Sequence, residues 1–370
     1  MSVTLCAALS KIDDIELHVV TVDRSVSTVQ ISKTERATIH RLPFLGGSVL
    51  RNAVGVGRRQ LQQYLHQVGP DVVHAHDTYG LMTVGLQLPR LFTIHGFIYG
   101  DTLVSGTRFA HIRSWLWKHF ETKGWANQPA IISISPYVRE RLAGIARGSI
   151  YDIDNPVAEP FFSICRRSSP VPIVFSAALI EPRKNQLGLI ETFADVLSSG
   201  VDAELHLAGR ISNEQYGSDV RAAIERLGIG SRVRLLGSIS STQVMNELAA
   251  ASVFALVSLE ENSPIGIEEA MAAGVPVLTS NRCGMPYMVR HGYSGLLVDP
   301  LSRRDIAAKL TRMLTDQSAR EMMGRNARAV ALDRFHPDAV ARRTLEAYHE
   351  QLGPGRFERK TSAQARAVTG

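Results

Sequence analysis

Two carboxylates eight positions apart, Glu261 and Glu269, stand in "ENSPIGIEEAMAAGVPV" with Pro264 and Gly266 between them. The order of small polar residues, Pro and an apolar run predicts a helix over residues 264–273, with Asn262 or Ser263 as its N-cap and Gly274 just past its end. A helix start offers unpaired backbone N–H groups and partial positive charge, which suit a diphosphate. Gly266 lets the backbone approach a ligand closely. Glu261, in front of the helix, can reach a sugar-like group, and Glu269, deeper along it, can accept hydrogen bonds from a ribose diol. Carboxylates repel phosphate, so each acid should face hydroxyls. The plain alternative for the pair is two solvated acids on an amphipathic helix, and Glu268 beside them is read as solvated.

Short β-branched runs alternate with helical patterns along most of the chain. Strands are expected at residues 15–22, 71–76, 91–96 and 130–135, and again at 172–179, 203–209, 232–238, 253–258 and 275–280. Such alternation argues for parallel sheets covered on both faces. Residues 155–172, "NPVAEPFFSICRRSSPVP", carry no period and separate two series of this kind. The expected fold class is therefore α/β with two Rossmann-like domains, residues 1–155 and 172–335, joined by a linker over 156–171. Ligands of open parallel sheets sit beyond the carboxyl ends of the strands, so the expected site is a cleft between the domains. A last helix is expected over 336–353, with a crossing back to the first domain as one option, and the polar, basic residues 354–370 read as a flexible tail.

At 370 residues, two cores are the natural division. The three scattered cysteines, Cys6, Cys165 and Cys283, argue against a disulfide framework or a zinc site and suit a reducing cytoplasm. The beginning, "MSVTLCAALSKIDD", lacks a basic n-region, and no stretch approaches the roughly 18 apolar residues of a membrane span. Net charge +6 leans toward phosphates, nucleotides or an acidic membrane surface, with ordinary surface charge as the alternative; no nucleic-acid partner is expected. Arg108, Trp115, Trp117, Lys118 and Trp125 lie in one segment that mixes aromatic and basic residues. It suits either an interfacial membrane helix or a helix packed on its own domain.

Other signals fail on spacing. "DID" at 152–154 precedes the linker and reads as loop chemistry; no carboxylate or His cluster has metal spacing, so no metal is expected. "GVGRRQ" lacks a third Gly and a preceding strand, and there is no Walker A or G-x-S-x-G sequence.

The run from Glu261 to Glu269 resembles the E-x7-E signature of family 4 glycosyltransferases, retaining enzymes of the GT-B fold. "PDVVHAH", "FTIHGF", "SISPYVRERL", "DNPV", "HLAGR", "VRLLGS" and "HGYSGLLVDP" resemble the same family, in the order it has them, over nearly the whole chain. The resemblance implies transfer of a sugar from a nucleotide-diphosphate sugar to a saccharide or lipid-linked hydroxyl acceptor, with retention and without a cofactor. Residue by residue it implies that Lys184 holds the donor diphosphate and stabilises the departing nucleotide. It also implies that His95 lines the reaction centre and Ile239 meets the nucleobase. Glu261, His95 and Lys184 form the catalytic set, and Ser263, Gly266, Ile267, Glu269, Ile239 and Arg183 the donor-binding set. Arg183 is included because the family's Arg before the lysine is replaced here by Ala177-Ala178-Leu179, and Tyr287 stands where a Glu is common. His74 and His76 are read as packing residues.

In this family a first strand and a Gly-rich loop precede the first helix. Here residues 2–14 already resemble that helix and residues 15–22 the second strand, so the N-terminal domain is expected to lack its first strand and to be poorly active. The expected setting is cytoplasmic, at or near the inner membrane face. A hydrolytic or epimerising enzyme, and a catalytically silent nucleotide-sugar-binding domain, remain open alternatives.

Overall fold

The computed structural model describes residues 2–45, 47–104 and 109–353. The expected tail over 354–370 and Arg108 lie outside the described residues. The chain divides into two compact units, Met1–Asp154 with Val340–Gly370, and Asn155–Ala339.

In the first unit the strands are β1 (His18–Asp23), β2 (Gln30–Lys33), β3 (Thr38–Pro43), β4 (Val73–His76), β5 (Arg90–Ile94), β6 (Ala130–Ser133) and β7 (Ser149–Asp152). They form two sheets, β1-β3-β2 and β4-β5-β6-β7. The second is wholly parallel; in the first, β1 runs parallel and β2 antiparallel to β3. Residues Ser2–Leu9 form a helix, as expected, and among the described residues no strand pairs β1 with β4. The carbonyls of Leu17, just before β1, and Asp23, at its end, accept from the N–H groups of Thr38, at the start of β3, and Phe44, just past it. Alternate residues of a parallel strand face opposite edges, so the backbone groups of His18, Val20 and Val22 face away from β3. On that edge the Tyr79 hydroxyl accepts from the Val22 N–H at 2.8 Å.

The helix Ser2–Leu9 packs Leu5 and Leu9 with Leu91, Ile132, Ala341 and Tyr348, so the end of the helix Pro337–Leu352 belongs to this unit's core. Leu42, Leu61, Val73 and Trp117 make a second cluster, and Phe92, Ile131, Trp125 and Val138 a third.

The second unit holds β8 (Ile173–Ala177), β9 (Glu204–Ala208), β10 (Val233–Gly237), β11 (Val253–Leu256), β12 (Val277–Ser280) and β13 (Gly295–Val298). They form one parallel sheet in the order β10-β9-β8-β11-β12-β13. Both faces are buried, as a parallel sheet requires. On β8, Val174 packs with Ile190, Phe193 and Leu205 on one face, and Phe175 with Phe254, Met271 and Phe335 on the other. Strand order reverses between β8 and β11, where a doubly wound sheet places its ligand.

Residues 156–171, expected to be a linker, instead pack on this unit. Glu159–Ser163 is a short 3-10 helix whose Phe161 and Phe162 are buried in the Phe175 cluster. Asp152, taken for loop chemistry, ends β7 and pairs with Arg139.

Candidate active site

The loops that follow β8 and β11 meet at the point where strand order reverses. After β8 the chain makes a 3-10 turn over Pro182–Lys184, and Asn185 then takes a left-handed conformation (φ 55°) to start the helix Gln186–Ser198. The Asn185 amide donates to the carbonyls of Val257 (3.3 Å) and Pro300 (2.9 Å), and the Leu259 N–H donates to the Arg183 carbonyl (2.8 Å). These bonds hold the Lys184 turn against the end of β11.

Charge is concentrated there. The Lys184 ammonium pairs directly with the Glu261 carboxylate; the two side chains are only 11% and 8% exposed. Arg183 donates to the other Glu261 oxygen (3.2 Å), to the Glu260 carbonyl (3.0 Å) and to Glu181 (3.1 Å). Glu181 in turn accepts from Ser212 at 3.0 Å. Two cations and two carboxylates thus neutralise one another in a partly dry setting. Removing one member would leave a neighbour unpaired, which is costlier than the pair is worth. The expectation puts Lys184 on phosphate and Glu261 on sugar; in the structure the two side chains pair with each other.

The loop carrying Glu261 is braced from behind. The Gly284 N–H donates to the Glu261 carbonyl at 2.8 Å, and a Cβ at Gly284 would stand 1.7 Å from the Asn262 carbonyl oxygen. No side chain larger than hydrogen fits there.

The helix that follows spans Ile265–Ala272, with Pro264 rather than Asn262 or Ser263 at its N-cap and no side-chain cap among the described residues. Ser263 is turned inward, its hydroxyl donating to Glu268 at 2.7 Å. Glu268 is the clear reversal of the sequence reading: it is 0% exposed, not solvated, and also accepts from the Asn155 amide at 3.5 Å. The Ile267 side chain is likewise fully buried, so only its backbone can address a ligand. Gly266 has a packing reason. A Cβ there would lie 3.0 Å from the Phe254 ring and 3.1 Å from the Ala177 carbonyl, so the missing side chain lets the helix pack onto β8 and β11.

Glu269 is half-buried, and burial pushes its carboxyl up to about 7. Burial thus favours the protonated form well above the ordinary carboxyl range. Ile239, past the end of β10, packs its partly buried side chain on the Phe175 cluster, just before Ser240 and Gln243 cap the next helix.

In the first unit His95 follows β5. Its Nε2 lies 2.9 Å from His76 Nδ1 at the end of β4. His74 meets the Tyr348 hydroxyl at 2.8 Å and the Thr93 hydroxyl at 2.6 Å. Burial lowers His76 to about 3 and His74 well below its ordinary range. His74 and His76 stack with ring centroids 4.3 Å apart, and each also makes hydrogen bonds of its own, His74 to two hydroxyls and His76 to His95; the H-x-H spacing on one strand face was the available signal. A cavity of about 550 Å³ opens at the ends of β1 and β3, lined by Thr21, Asp23, Arg24, Phe44, Thr78 and Tyr79 among others. Among the described residues no three His, Cys, Asp or Glu side chains are grouped to hold a metal ion.

Two family models match the chain in tandem. The "Glycosyltransferase Family 4" model covers residues 2–158 and the "Glycosyl transferases group 1" model covers residues 162–330. An uncharacterised glycosyltransferase of Methanocaldococcus jannaschii is 23% identical over 328 residues, 86% of this chain and 85% of that protein. The D-inositol 3-phosphate glycosyltransferase of Corynebacterium glutamicum is 26% identical over 225 residues, and the match spans 54% of its length. Among solved structures, sucrose-phosphate synthase from Thermosynechococcus elongatus superposes with a TM-score of 0.76 at 20% identity, over 93% of this chain and 90% of that one. Anabaena HepE in complex with UDP-glucose gives 0.64 at 18% identity, over 84% and 85%. With the reversed strand order, the E-x7-E helix and both family models in agreement, the chain belongs to the group 1, family 4 glycosyltransferases and has their GT-B fold of two Rossmann-like domains.

Proposed function

We propose that this glycosyltransferase moves a sugar from a nucleotide-diphosphate sugar to a hydroxyl acceptor, with retention of configuration and without a metal. The observation that carries the reading is the Arg183–Glu261–Lys184 cluster at the point where strand order reverses. An arriving diphosphate competes with Glu261 for Lys184, and the released Glu261 carboxylate then accepts hydrogen bonds from the sugar. The first-turn N–H groups of the helix Ile265–Ala272 supply further positive potential, and Glu269 takes the ribose diol. In the transfer step the bond from the anomeric carbon to phosphate oxygen breaks, and its electron pair leaves with the phosphate. The acceptor oxygen bonds to the same face of the anomeric carbon while its proton passes to a phosphate oxygen. Lys184 stabilises the developing negative charge, a contact worth about 3 kcal/mol in such transition states. His95 orients the sugar.

HepE was solved with UDP and with UDP-glucose, which supports a nucleotide-sugar donor here. The acceptor reading, a saccharide or lipid-linked hydroxyl in polysaccharide or glycolipid synthesis, is supported by the polar and aromatic lining of the first unit's cavity. An anionic membrane surface is the proposed further partner. On the helix Ala110–Ala126, Ile112 and Trp115 are 60% and 67% exposed, and Arg113, Lys118 and Lys123 are exposed around them. The single carboxylate of that helix, Glu121, is buried and accepts from the N–H groups of Ile98 and Tyr99. Trp117 and Trp125, by contrast, are core residues. No helix among the described residues is long and apolar enough to cross a membrane.

The deciding experiment follows nucleotide release and product anomer by NMR, using UDP-, GDP- and ADP-sugars offered with saccharide and lipid-linked acceptors. Acceptor-dependent release with the donor's configuration kept supports the reading. Tight nucleotide-sugar binding with no turnover on any acceptor supports a silent binding domain instead. Binding to vesicles that rises with anionic lipid and falls with salt supports the membrane partner, and binding indifferent to lipid charge removes it.

A further inference from the structure

The two oxygens of the Glu261 carboxylate have different partners. Oε1 pairs with the Lys184 ammonium, and Oε2 accepts from the Arg183 guanidinium at 3.2 Å. The two cations are not held alike. Among the described residues the Lys184 ammonium has no partner other than Glu261. Arg183 is fixed from several sides. The nitrogen that meets Glu261 also donates to the Glu260 carbonyl at 3.0 Å, and its second terminal nitrogen donates to Glu181 at 3.1 Å. The other Glu181 oxygen accepts from the Ser212 hydroxyl at 3.0 Å, which ties this end of the cluster to the loop after β9. The Arg183 carbonyl accepts from the Leu259 N–H at 2.8 Å, so backbone and side chain both clasp residues 259–261. A guanidinium is a rigid planar fork that keeps such a geometry, whereas an ammonium on a flexible four-carbon stem changes partners readily.

The Glu261 side chain is only 8% exposed, and a carboxylate so placed needs a cation beside it at every stage. When a diphosphate draws Lys184 away, Arg183 is the cation that stays. We propose that Arg183 is a positioning residue for Glu261. It keeps Oε2 anchored while the diphosphate takes Lys184, so that Oε1 is the oxygen uncovered for the sugar hydroxyls. Arg183 touches neither phosphate nor sugar in this account and acts wholly through Glu261, in contrast to the donor-binding role expected for it from the sequence. What Glu261 meets rests on the transferase reading; the pairing of Arg183 with Glu261 does not.

The test uses the full chain, with Arg183→Gln and Arg183→Lys made alone and together with Glu261→Gln. Calorimetry with UDP, GDP and ADP reads nucleotide affinity, the transfer assay reads kcat and KM, and urea unfolding reads the pairing itself. Without Arg183, Glu261 holds Lys184 for itself, so Arg183→Gln should weaken diphosphate binding about 3- to 10-fold; with Glu261→Gln already present the same change should matter less than about twofold. With Arg183→Gln alone, kcat should fall about 10- to 100-fold from misorientation of the sugar, more than KM for the donor rises. Arg183→Lys keeps the charge without the fork and should recover part of that kcat. In unfolding, the two sites should show a coupling of roughly 3- to 30-fold in the equilibrium constant. Equal losses of nucleotide affinity with and without Glu261→Gln would make Arg183 a phosphate contact and overturn the proposal. Losses of kcat that multiply in the double variant would overturn it too, as would unfolding effects that simply add. If Arg183→Gln does not fold, Arg183→Lys decides by the same comparisons. If even the native protein transfers no sugar, the transferase reading fails by itself, and the unfolding cycle still judges the Arg183 contact.

Discussion

In the second unit β8 and β11 lie side by side at the centre of six parallel strands, whereas in the first unit β1 and β4 belong to different sheets. Both units use the same βα building scheme, yet only the second presents an unbroken row of strand ends. There the loops after β8 and β11 are bonded to each other through Asn185, Leu259 and the Glu261 cluster. In the first unit the outer edge of β1 is met by the Tyr79 hydroxyl and, among the described residues, by no strand. His95 there meets the His76 side chain at 2.9 Å. The contrast locates rigidity: the Arg183–Glu261–Lys184 cluster stands on the continuous sheet.

The largest expected effect tests this contrast directly. Amides of His18 and Val20 should exchange with solvent roughly 10³-fold faster than those of Val174, Leu205 and Phe254, because an unpaired edge opens locally and a central strand only with its domain. Hydrogen exchange read by NMR or mass spectrometry measures it. Equal protection in the two sets would break the comparison.

Next in size is the charge cluster. Lys184→Ala should lower kcat by about 10²- to 10³-fold, as expected for loss of one stabilising contact to developing charge. Glu261→Gln should also cut transfer, but by freeing Lys184 it should leave affinity for the bare nucleotide unchanged or raise it. Glu269→Gln should weaken that affinity. Calorimetry with nucleoside diphosphates separates the three variants, and equal losses of affinity for the two glutamine variants would end the division of labour.

How much of this was legible in the sequence differs between the units for a physical reason. The buried parallel strands β8, β9, β11 and β12 announce themselves as apolar runs, and their boundaries fall within about two residues of expectation. β2 is exposed at every position and carries no hydrophobic period, so it and its partner β3 went unseen. The E-x7-E spacing pointed to the loop and helix that carry Glu261 and Glu269. It could not tell Glu268 from Glu269, because on a short helix two neighbouring acids differ in surroundings that only the packed sheet and Asn155 define. Arg183 and Lys184 bond a residue 77 or more positions away, a contact no local pattern encodes.

A smaller effect is expected from pH. Glu269 titrates near 7 in the folded protein against an ordinary value of 4.5, the shift coming from burial. A ribose diol donates to the carboxylate and not to the acid, so nucleotide affinity should fall below pH 7 by up to about tenfold per pH unit. Glu269→Gln should flatten that profile. Stability runs the other way. The folded state holds the proton more tightly, so the stability linked to Glu269 is fully present below about 4.5 and is lost as pH rises through 7. Thermal unfolding of Glu269→Gln should accordingly lose part of this decline, and an unchanged pH profile in both measurements would mean that the carboxyl is ionised throughout.

The smallest effect concerns the tyrosine at the broken edge. Tyr79 is half-buried, and burial raises its phenol above the ordinary range, so it stays protonated and neutral at working pH. Its ring packs with Leu42, Leu61 and Leu81, and its oxygen takes the Val22 N–H that a neighbouring strand would otherwise bind. Tyr79→Phe keeps the ring and removes only that acceptor, leaving a backbone donor without its partner at a cost of about 1–3 kcal/mol. Because the loss falls on β1, it should raise exchange at Val22 and its neighbours while leaving the amides of Val174 and Phe254 unchanged. Nucleotide affinity should also stay unchanged, since the proposed donor contacts lie in the second unit. If Tyr79→Phe instead loosens both units equally, the edge of β1 is not the weak point, and the contrast between the split sheet and the continuous one does not set local stability.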